Sequence, residues 1–287
     1  MAVMDRTIQS QRYALDDMLV EPQWLQEHLH DPGLRVVEVD VSRVAYDEGH
    51  IEGAVLWNIY RDLKDANYQL VAKEAIQALV AHSGIDADTT VVFYGYAPAL
   101  GFWLMKLYRH ADVRILDCSR GTWHGAGRPW TRDVDMSRTT GYFLPDQDER
   151  IRATQLTVQA GIDEPTCAIV DVRTDSEFRG DRFWPSGGLE PGGRAGHIPS
   201  ATRVSMEGLC EQDGSFRSAA YLRQLFASID LSNDGQVITY CTIGGRACTA
   251  WFALTYLMGR QHVRVYDGSW AEWGRMAGTP VESASSR

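Results

Sequence analysis

The sequence predicts an α/β protein made of two halves of the same plan, each a mostly parallel central sheet flanked by helices. Three observations carry this. The 287-residue length suits two domains at roughly 150 residues each. Short apolar runs alternate with helical patterns, the mark of α/β units around a parallel sheet. Above all, the chain repeats itself. "VVEVD" (36–40) resembles "AIVDVR" (168–173), and "YDEGHIEGAVLWN" (46–58) resembles "GGRAGHIPSATRVS" (192–205). "TTVVFYGY" (89–96) matches "GQVITYCT" (235–242), and "ADVRILDCSRGTW" (111–123) matches "QHVRVYDGSWAEW" (261–273). The order is the same in both halves.

The elements follow in order. Trp24, Leu25 and Leu29 fit an amphipathic helix, as do Ile76, Leu79 and Val80, and later Leu222, Leu225 and Phe226. The segment around 131–152 is polar and lacks periodicity, so it is expected to link the halves. The expected domains are therefore 1–135 and 153–287, with a linker over 136–152. The second half carries an insertion, "RTDSEFRGDRFWPSGGLEPGGRAG" (173–196), rich in Gly and Pro and hence expected as a surface loop.

Composition narrows the function. The chain is 44% apolar and 23% charged, as an ordinary globular protein is. A net charge of -10 argues against nucleic acid and against a polybasic membrane contact. The first residues hold no apolar core of signal-peptide length, and no run approaches the roughly 18 apolar residues of a membrane span. A soluble, cytoplasmic protein is expected. The five cysteines (Cys118, Cys167, Cys210, Cys241, Cys248) form no CxxC pair and no ligand spacing with His. Neither a disulfide framework nor a metal site is expected.

One stretch concentrates the chemistry. "VITYCTIGGRACTAWFALTYL" (237–257) is a strand, a short loop and an apolar helical run. Cys241 is the first loop residue, at the carboxyl end of a strand, where α/β sheets collect ligands. Thr242 and Ile243 are followed by Gly244 and Gly245, which permit backbone shapes other residues resist. Such a loop can turn its N–H groups inward as an anion nest, reinforced by the helix N-terminus and by Arg246. A cysteine there is favoured as thiolate, the nucleophilic form. The bland alternative is a buried structural cysteine ending a strand. Two chemistries use a loop of this kind. Phosphoryl transfer by a cysteine phosphatase needs five residues between Cys and Arg, whereas four stand here. Sulfur transfer through a cysteine persulfide suits the tighter ring.

At these residues the chain resembles the tandem rhodanese family, the thiosulfate sulfurtransferases. The family loop Cys-x-x-Gly-x-Arg stands as "CTIGGR" (241–246). Its other signatures stand as Asp171-Val172-Arg173, Gly196-His197-Ile198-Pro199 and "YDGSWAEWG" (266–274). The resemblance spans about residues 20 to 280. It implies two rhodanese domains with one active site, in the second. The first half agrees: Gly95 stands where Cys241 stands, and 23 positions separate Tyr94 from Asp117 against 27 from Tyr240 to Asp267. That half is expected to be catalytically inactive and to wall the site.

The resemblance also implies roles. Thiosulfate would pass its outer sulfur to Cys241, and cyanide or a thiol would remove it, with no cofactor. The amides of Thr242, Ile243, Gly244, Gly245, Arg246 and Ala247 would stabilise the persulfide, and Arg246 would hold the sulfonate end of the donor. Asp171 and Arg173 lie near the site in the family; an internal ion pair is the competing role. Some relatives bind substrate with a second Arg six residues after the Asp. Here that position is Glu177, a departure, and Arg179 or Arg194 is expected to substitute. His50 and His197 recur in both halves and read as turn residues. Trp123, Trp270 and Trp273 read as core, Trp184 as lining the entrance, and Cys248 as a buried helix residue rather than a resolving thiol. The expected partners are a small-molecule sulfur donor and acceptor, with a protein thiol as a further acceptor, and the chain is expected to be a monomer. The rival readings are 3-mercaptopyruvate as donor, a persulfide carrier for a partner protein, and the phosphatase.

Overall fold

The computed structural model describes residues 13–15, 17–135, 139–188, 190–229 and 235–283. The first half contains β1 (Leu19–Val20), β2 (Leu34–Asp40), β3 (His50–Ile51), β4 (Val55–Asn58), β5 (Thr90–Gly95), β6 (Val113–Leu116) and β7 (Trp130–Thr131). The second contains β8 (Arg152–Ala153), β9 (Cys167–Asp171), β10 (Thr202–Arg203), β11 (Gln236–Tyr240) and β12 (Val263–Tyr266). The main sheets run β1-β6-β5-β2-β4 and β8-β12-β11-β9-β10, parallel throughout. This is one topology used twice. The register agrees as well: Tyr94 of β5 faces Glu38 of β2, as Tyr240 of β11 faces Asp171 of β9. β3 and β7 form a small antiparallel pair.

Central strands β2, β5, β9 and β11 are buried over most of their length, as their Val- and Ile-rich runs require of a sheet covered on both faces. The three expected helices form over Pro22–His28, Lys73–His82 and Ala219–Leu225. The helix after β5 (Pro98–Leu107) and the helix after β11 (Gly245–Phe252) meet between the halves. Phe102 lies 4.9 Å from Phe252, 5.1 Å from Tyr256 and 6.1 Å from Trp251, ring to ring. One apolar core therefore runs from the first sheet to the second, with a smaller cluster on the outer side of each.

Loops also cross between the halves. Phe216 N–H donates to Asp117 Oδ1 (2.8 Å), and Ser119 N–H donates to the Asp213 carbonyl (2.7 Å). In the mirrored position, Lys64 Nζ donates to the Asp267 carbonyl (2.8 Å). The arm at Ala14 and Leu15 donates to the Leu257 and Tyr256 carbonyls, so an N-terminal piece of the chain packs on the second half. Of the expected linker, residues 136–138 lie outside the described residues. Residues 139–148 run without regular secondary structure over the first half, where Thr140 N–H reaches the Ala81 carbonyl and Leu144 is buried. Arg152, at its end, already belongs to β8. The insertion at 173–196 is not simply a surface loop. It opens with a helix, Asp175–Arg179, and buries Glu177 and Phe183. Among the described residues, no helix is long and apolar enough to cross a membrane.

Phe102 is fully buried between helices of both halves. Phe102→Ala is expected to cost about 3–5 kcal/mol of stability, as large-to-small core substitutions do. A drop in the urea midpoint checks this; an unchanged midpoint would show that the shared core does not bind the halves together.

Candidate functional site

β11 lies in the middle of its sheet, between β9 and β12, so its carboxyl end opens onto a crevice. Cys241 follows directly and is 1% exposed. Its N–H donates to Ser269 Oγ (3.1 Å), and that hydroxyl donates to the Tyr266 carbonyl (2.7 Å). The carbonyls of Cys241 and Thr242 accept from the N–H groups of Trp270 and Ala271. Three of these bonds tie the loop to the segment after β12, and the fourth fixes Ser269 to the end of that strand. Gly244 then turns the chain in the left-handed region, at φ 96°. There its N–H donates to Cys241 Sγ at 3.1 Å. Its own helix starts at the next residue, and the first amides of a helix have no partner within it. The sulfur thus sits against a helix N-terminus with one amide already on it. Only glycine fits: a Cβ at Gly244 would stand 2.8 Å from the Asp267 carbonyl oxygen.

Arg246 does not stand alone. Its two terminal nitrogens bind Glu177 Oε2 (2.9 Å) and Oε1 (2.8 Å), and one also binds Thr242 Oγ1 (2.6 Å). Thr242 in turn donates its hydroxyl to Glu177 Oε1 (2.6 Å). Glu177 is delivered by its short helix, whose start is a capping box: Thr174 Oγ1 accepts from Glu177 N–H, and the Glu177 carboxylate accepts from Thr174 N–H (3.0 Å). Burial works to raise the Glu177 carboxyl, but its bonds to Arg246, Thr242 and Thr174 prevail and hold it at about 2. Burial works to lower Arg246, yet Glu177 and the nearby Cys241 raise it. In the sequence Glu177 stands out only where an arginine is missing. The signal that could have found its local role is "TDSE" (174–177), a Thr-x-x-Glu box.

A cavity of about 50 Å³ opens above the sulfur. The second half lines it with Cys241, Thr242, Ile243, Gly245, Arg246, Trp184 and Pro185. The first half adds Val41, Ile59, Tyr60 and Tyr96. Ile59 and Tyr60 come from a single π turn, Ile59–Leu63, capped by Asn58, whose side chain accepts from the N–H groups of Tyr60 and Arg61. Tyr96 follows Gly95, the counterpart of Cys241, and is 61% exposed. Trp184 lines the cavity, tilted against Tyr68 with ring centroids 5.2 Å apart and donating its indole N–H to Glu190. The first-half residues were not anticipated, because no local pattern says which faces of two repeats will meet.

The other expected residues lie elsewhere. Ala247 is buried in the first turn of the helix. Asp171 and Arg173 form a fully buried ion pair (2.7 Å); Arg173 also donates to the Gly196 carbonyl and lies 4.5 Å over the Trp270 ring. They brace the second half and do not line the cavity. Arg179 does not reach it either: half exposed, it pairs with Asp175 and Asp181. Arg194 is occupied by the carbonyls of Trp273, Gly274, Met276 and Thr279. His50 stacks on Tyr46 and His197 on Phe178, each bonded to a backbone carbonyl, so the two turns are built alike. Trp123, Trp270 and Trp273 are fully buried. Burial pushes the Cys248 thiol well up, with Cys241 adding to the effect.

Comparison with known proteins agrees with this architecture. A family model described as "Rhodanese-like domain" matches residues 21–126 and again 154–276. The "Sulfur carrier protein TtuD" of Thermus thermophilus is 40% identical, over 94% of this chain and 98% of that one. A protein of Haloferax volcanii named "Putative thiosulfate sulfurtransferase" is 38% identical, over 94% of this chain and 97% of that one. Among solved structures, that of YnjE superposes with a TM-score of 0.84 at 26% identity, covering 94% of this chain and 69% of that one.

Two outcomes follow from the geometry. Gly244→Ala places a Cβ against the Asp267 carbonyl at positive φ; it is expected to cost about 1–3 kcal/mol and to slow alkylation of Cys241. Unchanged alkylation would remove the Gly244 amide from the account. For Glu177 the folded value lies below the unfolded one. Its stabilisation is therefore complete above about pH 4.5 and is lost as pH falls toward about 2. Urea midpoints measured at about pH 6 and about pH 3 should fall less for Glu177→Gln than for wild type.

Proposed function

The chain belongs to the rhodanese-like family, carrying its domain twice, and we propose that it moves sulfane sulfur from thiosulfate through a persulfide on Cys241. The single observation that supports this best is the Gly244 N–H on Cys241 Sγ at the start of a helix. In the first step the Cys241 thiolate attacks the outer sulfur of thiosulfate. A new S–S bond forms on Cys241, the S–S bond of thiosulfate breaks, and sulfite leaves with the electron pair. In the second step cyanide or a thiolate attacks the outer sulfur of the persulfide. Thiocyanate or a new persulfide leaves, and the Cys241 thiolate returns. No other oxidant or reductant is needed. Both the attacking thiolate and the persulfide carry one negative charge at the loop, where amide dipoles aimed at the anion act in place of water.

Arg246 has a narrower role than its charge alone implies. Glu177 matches that charge, so the Arg246–Glu177 pair attracts a dianion weakly. We assign Arg246 to orienting the sulfonate by a directional bond, with the loop amides supplying the rest. This matched charge is also what favours a second reading, with 3-mercaptopyruvate, a monoanion, as donor. A third reading, a persulfide carrier, draws on the name of the Thermus relative.

Steady-state thiocyanate formation from cyanide, with each donor, separates these readings. Thiosulfate is expected to give the higher kcat/KM, and Cys241→Ala is expected to abolish turnover with both. A higher kcat/KM for 3-mercaptopyruvate would move the donor assignment. One stoichiometric loading of sulfur without turnover would identify a carrier. Turnover surviving in Cys241→Ala would overturn the proposal.

A further inference from the structure

The half without the cysteine also reaches the back of the Cys241 loop. Lys64, from the first half, is fully buried. Its Nζ donates to the carbonyl oxygen of Asp267 (2.8 Å) and lies 3.5 Å from Asp267 Oδ2. The same carboxylate accepts from Arg152 Nε at 2.9 Å. Two formal positive charges therefore share one carboxylate. Burying a lysine is expensive unless its charge is used. The Asp267 carbonyl that Lys64 holds is the atom a Gly244 Cβ would strike, with Asp267 Cα next at 3.2 Å. Gly244 carries the amide on the sulfur. Two hydrogen bonds, joined by the close approach of the Asp267 carbonyl to Gly244, thus lead from Lys64 to Cys241 Sγ.

The two halves also approach closely at two more glycines of this region. A Cβ on Gly268 would stand 2.8 Å from Gln69 Nε2, in the turn that begins beside Lys64. That turn is closed by Asp65 N–H to the Gln69 carbonyl, and Lys64 pairs with Leu70 across it. A Cβ on Gly245 would touch Ala97 Cβ at 3.5 Å, also from the first half.

We propose that Lys64 is a positioning residue for sulfur transfer, contributed across the interface by the half that lacks the cysteine. It fixes the Asp267 carbonyl against Gly244 and so fixes the direction of the Gly244 N–H toward the sulfur anion. It touches no substrate. This rests on the reading of Cys241 as the sulfur carrier. An amide aimed at a developing anion is worth about 10²–10³ in rate when removed outright. Misaiming it costs less, so about a tenfold loss is expected.

The test uses the full chain as wild type, Lys64→Met and Lys64→Gln. Thiocyanate kinetics with thiosulfate give kcat and KM, and urea unfolding gives stability. Lys64→Met is expected to lower kcat about tenfold with KM within about twofold of wild type, at denaturant-free conditions where unfolding shows the variant folded. Lys64→Gln keeps a donor toward the carbonyl without the charge and is expected to recover part of kcat. It carries the test alone if Lys64→Met does not fold, with the same split of kcat from KM. Wild-type kcat in a folded variant, or a loss confined to KM, overturns the proposal. A wild type that neither turns over nor takes up sulfur overturns both this proposal and the reading beneath it.

Discussion

The geometry of the site depends on the left-handed turn at Gly244. A φ of 96° there is open to glycine and costly to other residues. It brings the backbone hard against Asp267, sends the Gly244 N–H to Cys241 Sγ, and leads into the helix that starts at Gly245. Each neighbour reinforces the turn. Ser269 takes the Cys241 N–H, Trp270 and Ala271 hold the loop carbonyls, and Lys64 and Arg152 hold Asp267 from the rear. A fixed amide near the sulfur stabilises negative charge without reorganising, whereas water must reorient at each step.

The second constraint is charge balance. Arg246, partly exposed, and Glu177, fully buried, form a bidentate pair bridged by Thr242. Removing Arg246 would leave the Glu177 carboxylate buried and uncompensated, at about 3–5 kcal/mol. Their first effect is therefore to hold the outer wall of the loop. The attraction for an anion falls to dipoles: the loop amides and the helix N-terminus. Lys64 and Arg152 both bind Asp267, and none of the three lines the cavity.

Much of this was legible in the sequence. The four repeated segments place the strands, and both sheets share order and register. Cys241, Thr242, Ile243, Gly245 and Arg246 do line one cavity, together with Trp184. These residues are near one another in the chain, or sit in a motif whose spacing carries the geometry. Glu177 was visible as a residue and as a helix cap, but its bond to Arg246 spans 69 positions. Lys64, Tyr60 and Tyr96 reach the site because two repeats dock face to face, and a one-dimensional pattern does not encode that docking. Arg179 and Arg194 misled for the reverse reason. An arginine in a Gly-rich insertion reads as available, while here one pairs with neighbouring aspartates and the other caps carbonyls at the C-terminal end.

The most direct measurement of the central claim is the mass of the intact protein after exposure to thiosulfate with no acceptor, followed by peptide mapping. The account predicts a gain of one sulfur atom on the peptide carrying Cys241, lost again on adding cyanide. No gain, or a gain that maps to Cys118, Cys167, Cys210 or Cys248, would contradict it.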